Sequence, residues 1–476
     1  MAGEFGDDIP PQKAQNMPRQ DSIAASIHAQ NTASGPTDAV RPRPSGSVYM
    51  GDFRAPALDT IHLAIIGIGE RSLAQIEQLV RIPHVEIVGL CDLRPEAAEA
   101  AAARVQALCG MRPAIFSGDE AAYLRMLREL RPDAVIISTS WEQHAPMSVA
   151  VMEHGAHAFV EVPLATTLEG LWQVVDAAER TRRHCMMLEN VNYGRDELMF
   201  LNMVRRGLIG ELLHGEAAYI HELRQQMLTA GSWRDEHFIA RNGNLYPTHG
   251  IGPIAQYMNI ARGEDTFDRI VSFGSPAAGR ELFAREHLPE GHPLRGVRFG
   301  CADINTSIIR TRLGRTILVQ WDETSPRPYD RKNLIQGTRG TLAGFPTRMA
   351  GDFLEATAPP NPNPADGYDR DLHPWWCGPA AVEEMHARWD HPLYKRLGAQ
   401  AAAIDSRGGM NYLLFSRIIE CLHRGEPLDQ NVYEGALWSA IAPLSEKSVH
   451  EGGTPQLFPD FTRGDRIHTA PLDIVE

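Results

Sequence analysis

The chain has 476 residues, 43% hydrophobic and 22% charged, enough for two packed domains with additions. Lys and Arg total 46 against 60 Asp and Glu, a net charge of −14, and no dense basic cluster interrupts that balance; a protein that tracks a nucleic-acid backbone is excluded. The longest apolar runs fall far short of the ~20 residues that span a bilayer, so no membrane partner is expected.

Residues 1–58 are rich in Gln, Ser, Ala, Pro and Asp without sustained periodicity, which predicts a flexible arm. Its last stretch, 49–53, is less polar and suited to docking on a neighbour. No charged-then-apolar signal pattern opens the chain, so a cytoplasmic location is expected. From Thr60 the pattern changes to short apolar runs alternating with longer helical ones. Strands are predicted at 61–66, 85–90, 114–116, 134–138, 158–160 and 185–188. Helices are predicted at 73–80, 95–108, 119–130, 146–154 and 167–180. Apolar runs of four to six between helices indicate a doubly wound parallel sheet, a Rossmann domain over 59–190.

After Asn190 the alternation is lost. One helix, 198–206, precedes strand candidates at 215–220, 269–273, 304–313, 316–321 and 333–336, with a hairpin turn at 313–316. Strands clustered with few helices predict an α+β domain over 191–465, built on a largely antiparallel open sheet. Residues 345–400, with alternating Pro and Asn at 359–364, read as an irregular insertion. Later helices are predicted at 251–257, 411–423 and 434–441, and 466–476 reads as a tail. The six cysteines lack CxxC spacing, and His214, His221, His237 and His249 lack a ligand spacing, so no metal is expected.

A glycine loop, Gly67-Ile68-Gly69-Glu70-Arg71-Ser72, lies between the first strand and the first helix, where a dinucleotide site must be. Gly67 permits the tight turn, Gly69 lets backbone approach a pyrophosphate, and Ser72 replaces the third glycine, which sets the helix slightly further from the strand. The N–H groups at the helix start then hold phosphate. Asp92 closes the second strand 20 residues after Ser72, placed to accept ribose hydroxyls, which favours NAD over NADP. Ligands of open α/β sheets bind beyond the carboxyl ends of strands, so the 138–144 loop (Trp141, Glu142, Gln143, His144) and Glu161-Val162 should line the cofactor. A helix cap is the competing reading of His144.

Two later segments concentrate polar and aromatic groups that folding does not require: Asn242-Gly243-Asn244-Leu245-Tyr246-Pro247-Thr248-His249-Gly250, and Ser325-Pro326-Arg327-Pro328-Tyr329. Singly, each also reads as a helix cap or an edge turn. Together with Glu161-Val162-Pro163, with Glu189-Asn190-Val191-Asn192-Tyr193-Gly194-Arg195, and with Pro443-Leu444-Ser445-Glu446-Lys447-Ser448-Val449, they resemble the Gfo/Idh/MocA oxidoreductase superfamily and, within it, glycoside hydrolase family 109, over roughly residues 50–465. The chain departs from that pattern at Ser406-Arg407-Gly408-Gly409-Met410-Asn411, where Gly-His-Gly-Gly-Met-Asp is expected.

The resemblance implies a glycosidase with NAD as catalytic cofactor, acting on an α-N-acetylgalactosaminide, and an assembly of two or more copies. Carried over by motif, NAD contacts fall on Glu70, Arg71, Asp92, Trp141, Glu142, Gln143, His144, Glu161, Val162 and Asn190, and sugar contacts on Tyr219, Arg234, Tyr246, Pro247, Thr248, His249 and Tyr329. The superfamily's dehydrogenases carry a lysine where this chain has Val162. Most glycosidases flank the bond with two carboxylates; these motifs offer Tyr, His and Arg instead. The expected route is transient oxidation at C3, loss of the C2 proton, elimination of the aglycone and addition of water. His249 is expected to serve the C3 hydroxyl, and Tyr193 or Tyr246 the C2 proton, with Arg195 or Arg234 as the cation that a tyrosine base needs. The alternatives are an NAD-dependent sugar dehydrogenase and a non-catalytic sensor.

Overall fold

The computed structural model describes residues 41–228, 233–354, 376–405 and 408–472. In the first half, β1 (Ile61–Ile66) leads into α1 (Glu70–Leu79), β2 (Val85–Asp92), α2 (Pro95–Cys109), β3 (Ala114–Ser117), α3 (Ala122–Leu130), β4 (Ala134–Ile137), α4 (Trp141–Glu153), β5 (His157–Val160), α5 (Leu168–Thr181) and β6 (Cys185–Met187). The six strands are all parallel in the order β3-β2-β1-β4-β5-β6. Covered on both faces, β4, β5 and β6 are buried at every position, which is why they read as unbroken apolar runs. The order reverses between β1 and β4, whose carboxyl ends carry the glycine loop and the 138–144 loop. The fold thus opens a crevice where those loops part.

The second half comprises α6 (Arg195–Arg205), β7 (Leu212–Ile220), α7 (Trp233–Ala240), α8 (Thr248–Tyr257), β8 (Phe267–Gly274), α9 (Ala278–His287), β9 (Ile304–Thr311), β10 (Thr316–Asp322), β11 (Leu334–Gly337), β12 (Gly340–Ala343) and β13 (Arg348–Gly351). It closes with α10 (Pro379–Trp389), α11 (Pro392–Ile404), α12 (Met410–Arg424), α13 (Val432–Ser439), α14 (Ile441–His450) and β14 (Gln456–Leu457). Eight strands form one sheet, β13-β12-β11-β7-β10-β9-β8-β14, antiparallel throughout except for the parallel pair β7–β10. That pair puts Tyr219 opposite Trp321. One sheet face packs under α8, which carries Gly250 so close to β7 that a Cβ there would lie 2.5 Å from the Ala218 nitrogen.

Four expectations change. Helix α4 begins at Trp141 rather than 146, because Ser140 is the extended cap residue and the turn starts as soon as the strand ends; Pro146 is accommodated inside the helix. Residues 41–58 are not a free arm. Arg43 pairs with Glu179 and Asp465, Tyr49 stacks on Tyr433 at 4.9 Å, and the Met50 N–H donates to the Tyr433 hydroxyl, so 49–53 docks on the chain's own body; residues 1–40 lie outside the described ones. The segment 345–400 carries β13, α10 and most of α11, although 355–375 lie outside the described residues. The helix expected at 434–441 straddles a break at Ala440 between α13, which opens on an Asn431–Glu434 capping box, and α14.

Candidate active site

A cleft of about 760 Å³ opens between the Rossmann crevice and the second domain. Its first wall is the glycine loop. Gly67 has φ +89°, and a Cβ there would lie 2.5 Å from the Ser138 carbonyl oxygen, so only glycine fits. At Gly69, by contrast, a Cβ would meet nothing within 4 Å; that backbone faces open cleft. No side chain caps α1, whose first N–H groups therefore point at the cleft unclaimed. Ser72 does not space the helix away: its hydroxyl donates to the Gly67 carbonyl at 2.5 Å and draws the helix start onto the turn. Asp92 braces the same loop, accepting from the Ile68 N–H at 2.6 Å and from Arg94. A glycine turn, an uncapped helix and a carboxylate at the end of β2 are the parts that hold a dinucleotide, and the residues present fit NAD.

Behind the loop runs a polar network. Arg71 donates to Glu161 at 2.9 Å, and Gln75 donates to the same oxygen. Burial pushes the Glu161 pKa up, but the Arg71 charge and hydrogen bond, together with His249 and His144, outweigh it, and the carboxyl is held below its ordinary value. The Asn411 oxygen accepts from Asn190 at 2.9 Å and from Arg71 at 3.3 Å, and Asn190 Oδ1 is buried without a partner. His144 is also buried: Nδ1 faces the Pro163 oxygen at 2.6 Å and Nε2 the Thr139 oxygen at 3.2 Å. Burial pushes its pKa down, so the ring is neutral and the shorter contact is the Nδ1–H donor. Val162 lines the cleft beside Glu161, so no amine stands there.

The opposite wall is built on β7 and the start of α8. Pro247 ends the loop, and Thr248 and His249 begin the helix. His249 Nδ1 lies 2.5 Å from Oε1 of Glu189, a wholly buried carboxylate at the end of the β6 segment. That contact fixes the ring and leaves Nε2 to the cleft, the arrangement of a base oriented by an acid. Tyr219 and Tyr246 stand beside it, with centroids 5.4 and 5.1 Å from the imidazole and 4.9 Å from each other. Trp141 and Trp233 meet edge-on at 4.9 Å, and the Arg234 guanidinium lies 4.2 Å over the Trp233 ring. Burial raises the Tyr246 pKa beyond the usual phenol range, although Arg234 opposes it, so the phenol keeps its proton at neutral pH. Tyr219 is raised likewise.

Of the expected residues, Gly69, Glu70, Arg71, Trp141, His144, Glu161, Val162, Tyr219, Arg234, Tyr246 and His249 line this one cleft. Asp92 and Asn190 support it from behind, and Thr248 is buried with an unpartnered hydroxyl, so it is no cap. Tyr329 stands at the rim, edge-on to Tyr219 at 6.3 Å, its hydroxyl accepting from Arg331. Gln143 is exposed on α4, outside the lining residues. Tyr193 is a correction. It is buried away from the cleft, its hydroxyl donates to Asp429 at 3.0 Å, and Asp429 also receives Arg417. Burial and that carboxylate push its pKa well up, so it is no base. Arg195, its suggested cation, pairs with Asp390 elsewhere. Gln75, Trp233 and Asn411 also line the cleft, and Glu189 reaches it only through His249. None of the four is among the expected site residues, and although Glu189 and Asn411 belong to motifs, nothing local in the sequence shows these placements. Among the described residues no cluster of metal-ligating side chains occurs, and no helix is long and apolar enough to cross a membrane.

Residues 61–189 match the NAD-binding Rossmann fold of the oxidoreductase family, and residues 193–468 match the C-terminal domain of glycosyl hydrolase 109. The chain belongs to glycoside hydrolase family 109. It is 54% identical over 446 residues to glycosyl hydrolase family 109 protein 1 of Akkermansia muciniphila, covering 93% of this chain and 90% of the relative. It is 45% identical over 459 residues to the alpha-N-acetylgalactosaminidase of Shewanella oneidensis, covering 95% and 96%. The fold is that of levoglucosan dehydrogenase, solved with NADH and levoglucosan: TM-score 0.62 at 19% identity, over 84% of this chain and all of that one. This family 109 protein is a glycoside hydrolase, and NAD is the cofactor of its Rossmann domain.

Proposed function

We propose that the protein cleaves terminal α-N-acetylgalactosaminides by transient oxidation of the sugar at C3, loss of the C2 proton, elimination of the aglycone and addition of water. The observation that carries this reading is the His249–Glu189 pair on the wall facing the glycine loop. A hydrolase of the common kind needs two carboxylates flanking the bond. Here Glu161 is committed to Arg71 and Gln75, and Glu189 to His249. When bound, NAD supplies reversible oxidation of one carbinol carbon, which acidifies the neighbouring C–H.

In this reading His249 takes the proton of the C3 hydroxyl, and Glu189 stabilises the imidazolium that forms. Tyr246 keeps its proton in this environment, so the C2 proton passes to water in the cleft. Tyr246 is assigned as the donor to the departing aglycone oxygen, recovering a proton from the water that adds at C1. C2 is then reprotonated from solvent, and return of the hydride to C3 and of the His249 proton to its oxygen closes the cycle. Tyr219, Trp141 and Trp233 offer aromatic faces to the pyranose, with Arg234 beside them. The similarity to the Shewanella oneidensis alpha-N-acetylgalactosaminidase supports the choice of sugar. The test is turnover of an aryl α-N-acetylgalactosaminide in D2O. Aglycone release with deuterium at C2 of the product and no net NADH is expected; accumulation of NADH with oxidised sugar would make the protein a dehydrogenase instead.

The partner proposed for the open sheet face is a second copy of the chain. Val271, Ile308 and Leu318 stand side by side on β8, β9 and β10, with Ile308 55% exposed. Light scattering should report a dimer that Ile308→Glu converts to monomer; a wild-type monomer would refute the assignment.

A further inference from the structure

The segment 443–449 has so far been given no task. Its Glu446 lies on α14 and receives two hydrogen bonds from Arg241, Nε at 2.8 Å and Nη2 at 2.6 Å, the Arg241 side chain being 2% exposed. Arg241 Nη1 in turn stands 3.3 Å from Nδ1 of His237, one helical turn back on α7. An arginine only donates, so Nδ1 is the acceptor and the imidazole hydrogen sits on Nε2. Nε2 abuts Oε1 of Glu142, the residue after Trp141 on the Rossmann side. Four side chains in contact, a carboxylate, an imidazole, a guanidinium and a second carboxylate, thus lead from the cofactor wall to α14, and Arg241 Nη2 also donates to the Thr166 carbonyl of the Rossmann half at 3.3 Å.

The chain of contacts brackets the site at both ends. The His237 ring lies 4.9 Å from Trp141, and Trp233 and Arg234, which line the cleft, share its helix. Beyond Arg241, Gly243 passes so close to α14 that a Cβ would lie 2.8 Å from the Glu446 nitrogen, and the Asn244 N–H donates to the Ser445 hydroxyl at 2.8 Å. Tyr246 and His249 follow within five residues. The loop bearing them is thus pinned to α14 by Glu446 and Ser445, and α14 is joined through His237 to the cofactor wall.

We propose that His237 is a positioning residue: through Glu142 and the Arg241–Glu446 pair it holds the Trp141 wall and the Tyr246–His249 loop at a fixed separation, and so sets how tightly NAD is retained and how the sugar meets it. The inference rests on the cleft being the NAD and sugar site, but its readout, NAD release, needs no sugar turnover. His237→Phe keeps a ring beside Trp141 and removes both nitrogens; His237→Gln restores a donor toward Glu142. In the full-length protein, release of NADH followed by its fluorescence should quicken about tenfold in His237→Phe, with kcat falling about tenfold or more, and His237→Gln should recover most of both. Glu142→Ala removes the acceptor at the other end, at a half-exposed site that folding tolerates, and the double variant should release NADH no faster than either single one. Release rates and kcat within twofold of wild type in His237→Phe and Glu142→Ala, or additive effects in the double variant, would overturn the proposal. Should His237→Phe not fold, Glu142→Ala alone decides. If the wild-type protein binds no NADH, the reading of the cleft has failed rather than the tie.

Discussion

His249 and Glu189 are 60 positions apart in the chain yet lie 2.5 Å apart in the fold. His249→Ala should lower aglycone release by a factor of about 10²–10⁴, the usual worth of a general base, and should also lower the melting temperature, because it leaves the buried Glu189 carboxylate without its partner. Glu189→Gln keeps the shape and removes the charge, so an intermediate loss is expected. Tyr246→Phe should slow release of an alkyl glycoside far more than that of a p-nitrophenyl one, whose leaving group needs no proton; equal slowing of both would remove the donor role. Because burial holds the Tyr246 phenol protonated, activity should not decline on the alkaline side until beyond the ordinary tyrosine value of about 10. The glycine loop and Asp92 were legible because their spacing along the chain is itself the signal. His249 was legible only through its motif, and Glu189 was not, since the contact is made by tertiary structure. Tyr193 was misassigned because adjacency to a motif says nothing about which way a side chain turns from a short 3-10 segment, here toward Asp429.

Elements were legible where burial made their pattern strict. The six parallel strands emerge within a few residues of the expected bounds because both faces are covered. Helices α9, α10 and α11 carry mixed faces and contribute few buried residues, so their periodicity is faint. The strand β5 and the turn before β6 bring His157 and His184 together, the His184 N–H donating to His157 Nδ1. Burial lowers both pKa values, that of His184 to about 4. A depressed imidazole binds fewer protons folded than unfolded. Its contribution is therefore complete above the unfolded value of about 6.5 and is lost as pH falls toward 4, on the order of 3 kcal/mol for His184. Denaturant midpoints at pH 7.5 and 4.5 should show that loss, and His184→Gln should flatten it.

At the scale of the molecule, two long-range attachments that composition concealed hold the halves in place. One is the 41–58 segment, which composition assigned to an arm but whose Met50 is 4% exposed and bonded to Tyr433. Met50→Ala should cost about 2–4 kcal/mol, as deletion of a buried methionine does; a change under 0.5 kcal/mol would show that the segment is not attached in solution. The other is the Glu142–Glu446 tie, built from residues spread over three hundred positions that no local pattern joins. The second of them borders the cleft in which the glycine loop faces the His249–Glu189 pair. The most direct test is to strip the protein of NAD and follow cleavage of a C3-deuterated aryl α-N-acetylgalactosaminide as NAD is restored. Activity should return with one equivalent of NAD per chain, and C3 deuteration should slow turnover without net NADH. Full cleavage by the stripped protein, with no effect of deuterium at C3, would contradict the redox route.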